Sequence, residues 1–241
     1  MRIAIVGNSH LAALRRALSN RRFVPDGVDL VLFGEPGRGF FDMAFRDGVL
    51  HLPDREFVKR TTDGRYADLP VAEFDAIVFH GGIENLSGLM LKLANSGTRA
   101  AGLSTAALAM LAKAWMDHCV PYHAVRQVRA AVGAPVIVSA TPLFSAQSRR
   151  FDGTTMEKVD PIALRSPVLS RFAVDGISYL PQPAETLDGS YTRPEFSVAT
   201  EVIKGRTDRA AQDADIQHMS DVYGALVLQD IAALLARKAA A

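Results

Sequence analysis

The chain has 241 residues, 49% hydrophobic and 22% charged, enough to bury a sizeable core as a single α/β domain over residues 1–241. Lysine plus arginine number 27 against 26 for aspartate plus glutamate, so no overall field recruits nucleic acid or an anionic membrane. No apolar run approaches the ~20 residues that span a bilayer, Cys119 as the single cysteine allows no internal disulfide, and no basic-then-apolar leader precedes the first strand, so the expected compartment is the cytoplasm.

In chain order, Arg2-Ile3-Ala4-Ile5-Val6 reads as a buried strand, and Leu11, Leu14 and Leu18 after it recur at helical spacing. A second strand runs from Val28 to Phe33. The polar segment at about 50–70 reads as a hairpin insertion beside the site mouth, because Phe57 to Tyr66 is a β-rich run closed by Asp63-Gly64. A third strand spans Asp75 to Phe79. Helical patterns follow over Leu86 to Ala94, Ser104 to His118 and Val125 to Val132, with Ser104 placed to cap the second. The fourth strand is Pro135 to Ala140. From about 151 to 207, prolines 161, 167, 181, 183 and 194 punctuate an irregular segment that reads as a lid or as packing. The final helix is expected from about Ile216 to Arg237. Alternation of strands and helices predicts a three-layer α/β/α sandwich around a mostly parallel sheet of five strands.

Two sequence blocks at opposite ends carry the chemistry. Gly7-Asn8-Ser9-His10 places Ser9 on a strand-to-helix turn, where amides at the helix N-terminus favour developing negative charge. Asp215-Ile216-Gln217-His218 offers a base with an acid three residues before it, able to fix the imidazole tautomer. A serine in such a turn is by itself most often a helix cap. Its pairing with Asp-x-x-His shifts the balance toward a nucleophile.

This pairing resembles the SGNH (GDSL-type) hydrolase family, in which a Gly-Asp/Asn-Ser turn follows the first strand and Asp-x-x-His opens the last helix. Ala134 to Pro142, ending in Thr141-Pro142, looks like the family's late strand, and His218 to Gly224 is similar to its His-Leu-Asn-x-x-Gly continuation. The resemblance implies a flavodoxin-like fold and a serine esterase working through an acyl-Ser9 intermediate, with no cofactor or metal. His218 is then the base, and Asp215 its orienter with Asp213 as a rival. The oxyanion donors are the amides of Ser9 and Gly39 with Asn85. Gly39 is one of three glycines in the loop after strand two. Asn85, in His80-Gly81-Gly82-Ile83-Glu84-Asn85, stands one place later than the family's Gly-x-Asn-Asp pattern requires. His80 ends strand three beside that turn and is a candidate substrate contact. Suggested substrates are small-molecule or carbohydrate esters, acetyl esters above all. An O-acyltransferase would use the same triad.

Other readings stay open from the residues alone. Met1 to Gly7 also looks like the opening of a Rossmann nucleotide-binding fold, although Ser9 occupies the place where the second glycine would let a pyrophosphate approach. A non-catalytic binding module keeping the fold is the other alternative. His10, next to Ser9, suits a cap or supporting role. Arg38, Arg149 and Arg150 follow strand ends and could meet an anion, though solvated surface arginines are the simpler account. His51, His118 and His123 show no metal-ligand spacing with one another or with Cys119.

Overall fold

The β-branched runs of the sequence assemble into one parallel sheet. The computed structural model describes residues 1–24, 26–95, 103–145, 161–198 and 218–239. In chain order the elements are β1 (Arg2–Gly7), α1 (Leu11–Ser19), β2 (Asp29–Gly34), the short strands β3 (Ala44–Arg46) and β4 (Val49–His51), α2 (Arg55–Thr61), β5 (Leu69–Pro70), β6 (Ala76–His80), α3 (Leu86–Asn95), α4 (Thr105–Asp117), α5 (Val120–Ala131), β7 (Val136–Ser139), α6 (Pro161–Val174), β8 (Ser178–Leu180), β9 (Leu187–Asp188), β10 (Tyr191–Thr192) and α7 (Asp221–Ala239).

The main sheet has five strands in the order β2-β1-β6-β7-β8, every pair parallel. Numbered within the sheet this is 2-1-3-4-5, the flavodoxin-like doubly wound order rather than the 3-2-1-4-5-6 of dinucleotide-binding folds. Its strands are apolar on both faces because both are covered. Along β1, Ile3 and Ile5 face α1 and α7 in one core, whereas Ala4 and Val6 face the larger core built with Phe33, Phe79, Tyr122, Val125 and Phe172. The chain is therefore a three-layer α/β/α sandwich. No described helix is long and apolar enough to cross a membrane.

The hairpin expected at Phe57 to Tyr66 is not there. That stretch is helix α2, capped by Asp54, whose carboxylate accepts from the Phe57 amide at 2.9 Å, and anchored by the fully buried Val58. Asp63 and Gly64, both at positive φ, end this helix instead of turning a hairpin. The hairpin of the insertion is β3–β4, turned by Asp47-Gly48, and β5 extends it to three antiparallel strands. An Asp-Gly pair marks positive φ, and two different structures use it.

Within 151–207 the described part is not irregular throughout. Residues 161–174 form α6 with Pro167 inside it, and 178–180 are the fifth sheet strand, too short and mixed for alternation to reveal. Helix α5 starts earlier than expected, at Val120, because Pro121 suits the first turn of a helix. Helix α7 starts later, at Asp221, so His218 precedes it. The Ser220 hydroxyl accepts from the Tyr223 amide at 3.3 Å at that start.

Candidate active site

The site forms at the carboxyl edge of the sheet, beside the point where the strand order reverses between β1 and β6. Leaving β1 at Gly7, the chain makes a tight turn in which the Asn8 side chain accepts from the His10 amide at 3.1 Å, while Leu11 and Ala12 donate to the carbonyls of Asn8 and Ser9. This overlapping turn leads directly into α1. It presents Ser9 at the tip, half-buried, with its hydroxyl making no hydrogen bond among the described residues.

Facing it is the turn after β6, where Gly81 and Gly82 both take positive φ. A Cβ on Gly81 would stand 2.8 Å from His10 Cδ2, and one on Gly82 would stand 2.8 Å from Asn8 Nδ2 and 2.9 Å from Phe40. The glycine pair thus supplies both a left-handed backbone and the room in which the seryl turn seats its side chains.

His218 reaches the same place from the far end of the sequence. Its carbonyl accepts from the Val198 amide at 2.9 Å, Ser220 donates to Phe196 at 2.7 Å, and Arg16 of α1 donates to the neighbouring Met219 carbonyl at 2.5 Å. The backbone from His218 to Ser220 is therefore tied down. The ring sits 6.0 Å from that of His10, tilted by 55°.

Ser9 and His218 line one cavity of about 310 Å³. Its remaining walls are mostly apolar: Leu11 and Ala12 of α1, Phe57 of α2, Pro36 after β2, and Val198. Asn8, Thr61, Arg15 and Arg16 supply the polar side chains. That size sits at the small end of ligand pockets.

The other residues singled out in the sequence lie elsewhere. Asp215 and its rival Asp213 fall outside the described residues, as do Arg149 and Arg150. Gly39 lies in a short helical turn (Gly37–Asp42) with the Glu35 carboxylate packed where its Cβ would be, beyond the cavity wall. Asn85 directs its side-chain oxygen to the Gly88 amide at 3.1 Å, and so caps α3. Arg38 is exposed on the same turn as Gly39.

His80 lies behind the glycine pair, fully buried, with Nδ1 3.1 Å from the Ser139 hydroxyl and Nε2 sealed without a partner. Burial holds its imidazole down at about 4. His10 is likewise pushed down, to about 3, by burial first and then by the neighbouring His80 and His218. His10 is partly exposed as a residue, but its Nδ1 is sealed. Both are neutral donors or acceptors around neutral pH. Among the described residues no group of three or more His, Cys, Asp or Glu could hold a metal ion.

Sequence reasoning passed over three features. Arg15 and Arg16 follow Ala12 by three and four residues and so share its helical face, a spacing that marks them once Ser9 is given a role. Phe57 and Thr61 stand four apart on α2, where the sequence predicts a hairpin. Glu84 is 1% exposed, accepting from the Thr141 amide at 2.6 Å and its hydroxyl at 3.1 Å. Burial pushes the Glu84 carboxyl up, and these hydrogen bonds oppose the shift only in part. Glu84 joins the turn after β6 to Thr141 in the segment that follows β7, a bracing contact that residue types alone do not announce.

No protein-family model and no curated protein matches the chain. Among solved structures it is similar to an extracellular lipase from Streptomyces rimosus, at 14% identity over 95% of this chain and 98% of that one, with a TM-score of 0.43. It is also similar to phospholipase A1 from Streptomyces albidoflavus NA297, at 16% identity over 74% and 78%, with a TM-score of 0.32. At these values the likenesses carry no argument about activity, which rests on the site itself.

Proposed function

We propose that this protein is a serine ester hydrolase acting on short acyl esters. The observation that carries the reading is the meeting of Ser9 and His218, 209 positions apart in the sequence, on the wall of one small apolar cavity at the sheet edge. In this reading His218 takes the Ser9 proton as the hydroxyl attacks the ester carbonyl, then returns it to the leaving alcohol, and water releases the acyl group by the same route. Asp215 orients the imidazole. The Ser9 amide, at the turn into α1, is the oxyanion donor, and Gly39, which does not line the cavity, is left out of the hole. Asn85 is left out of the hole because its carboxamide already caps α3.

The size of the cavity supports a short acyl group such as acetyl. A carbohydrate alcohol rests on the family resemblance alone. The test is labelling of the intact protein with a fluorophosphonate probe alongside hydrolysis of aryl acetates. Label on Ser9 and hydrolysis that disappears in Ser9→Ala support the reading. Neither label nor hydrolysis by the wild type would sink it and favour a binding module.

A further inference from the structure

The cavity that holds Ser9 and His218 is biased in charge as well as in shape. Among the described residues it is lined by Arg15 and Arg16 and by no aspartate or glutamate. Glu35, between wall residues Gly34 and Pro36, turns its carboxylate away to the Asp54 amide at 2.9 Å and to Gly39. Arg16 is engaged with the Met219 carbonyl. Arg15 forms no ion pair among the described residues; one amine of its guanidinium donates to the Thr61 carbonyl at 2.5 Å, which fixes the head against α2. A guanidinium carries five N–H donors in a fixed fork, so one tether leaves most of them to address the cavity.

The position of Arg15 on α1 determines what it reaches. Helical side chains lean toward the N-terminus and cover the preceding turn. Arg15 therefore leans over Leu11 and Ala12, the turn adjoining Ser9. A cation held there beside apolar walls meets an anion in a medium less polarisable than water, where a charge-assisted fork is strongest.

We propose, resting on the esterase reading above, that Arg15 determines specificity by binding an anionic group, a carboxylate or phosphate, on the ester substrate whose carbonyl Ser9 attacks. The preferred substrates are short acyl esters of anionic alcohols or phenols. Uncharged esters react through the same serine with lower kcat/KM.

The test compares 4-acetoxybenzoate with its uncharged methyl ester, each rate divided by that ester's alkaline hydrolysis rate to remove intrinsic reactivity. Wild type is expected to favour the anionic ester by about tenfold or more, the range of one charged hydrogen-bonded contact. Arg15→Gln should lower kcat/KM for the anionic ester about tenfold more than for the methyl ester, with Arg15→Lys between, because a lysine keeps the charge and loses the fork. Arg46→Gln, an exposed change of the same charge on β3, controls for a long-range field. Equal preference in wild type, equal losses on both esters in Arg15→Gln, or a matching effect from Arg46→Gln would each overturn the proposal. If wild type hydrolyses neither ester, the esterase reading fails separately. Calorimetric binding of 4-acetamidobenzoate against 4-acetamidobenzamide then decides Arg15 alone: tighter binding of the carboxylate, lost in Arg15→Gln, supports the anion site, and equal binding ends it. A phosphate in place of the carboxylate, as 4-acetamidophenyl phosphate, separates the two anion sources.

Discussion

Ser9 and His218 act as a unit in the proposed chemistry, so removing either removes most of the rate. Ser9→Ala and His218→Ala should each lower kcat on an aryl acetate by roughly 10⁴-fold or more. A variant within tenfold of wild type would remove that residue from the mechanism. Asp215→Asn should cost more than Asp213→Asn because only the orienter sets the imidazole tautomer; the reverse order would reassign it. Asn85→Ala separates two roles that its position in the sequence leaves open. With its oxygen on the Gly88 amide, the change should cost about 1 kcal/mol of stability as a lost cap while kcat stays within about threefold. A 10²-fold fall in kcat with stability unchanged would return Asn85 to the oxyanion hole. Urea titration and steady-state kinetics on the same preparation read both quantities.

At the scale of elements, the site depends on how closely α7 lies on α1. A Cβ on Gly224 would meet the Ala13 carbonyl at 2.2 Å, so the two helices cross at a distance only glycine permits. Gly224→Ala is expected to destabilise by roughly 1–3 kcal/mol through overpacking. It should also lower turnover, because α7 begins three residues after His218 and α1 begins two after Ser9. Loss of stability with unaltered turnover would show that Ser9 and His218 are insulated from the helix crossing. Helix α2 contributes a different wall. Because Phe57 and Thr61 face the cavity and Asp54 caps that helix, Asp54→Ala should fray the wall and raise KM more than it lowers kcat. This is also the element that residue types misled: an Asp-Gly pair fits a hairpin turn and a helix end equally, and the buried Val58 decided between them.

For the molecule as a whole, buried imidazoles make stability depend on acidity. His80 titrates at about 6.5 when unfolded but is held at about 4 by burial in the folded state. Between those values the unfolded chain binds a proton that the folded one refuses, so stability falls as pH drops below about 6.5, with a slope approaching about 1.4 kcal/mol per pH unit. Above that window His80 contributes no pH dependence. His10 acts in the same direction, whereas the raised carboxyl of Glu84 acts oppositely, losing stability as pH rises above the ordinary carboxylate range. The difference between wild type and His80→Gln isolates the histidine. Urea unfolding free energies at pH 6.5 and pH 5 should differ less in the variant, by about 1–2 kcal/mol. Parallel curves would mean that the imidazole is solvated.

The alternation of apolar runs determined the layers, the parallel sheet and the place of Ser9, because a strand buried on both faces and a helix buried on one leave different periods in the sequence. The Asp-x-x-His spacing marked His218 and its upstream acid, since that pattern is local. Only the tertiary structure brought His218 onto the wall of the Ser9 cavity, turned Asn85 into a helix cap and buried Glu84 against Thr141. It alone set Arg15 and Phe57 on that wall. Apart from the Asn85 cap, which reaches only to Gly88, these contacts join positions tens to hundreds of residues apart. Which side chains share a cavity is decided by how strand ends and helix crossings meet, and no local spacing records it.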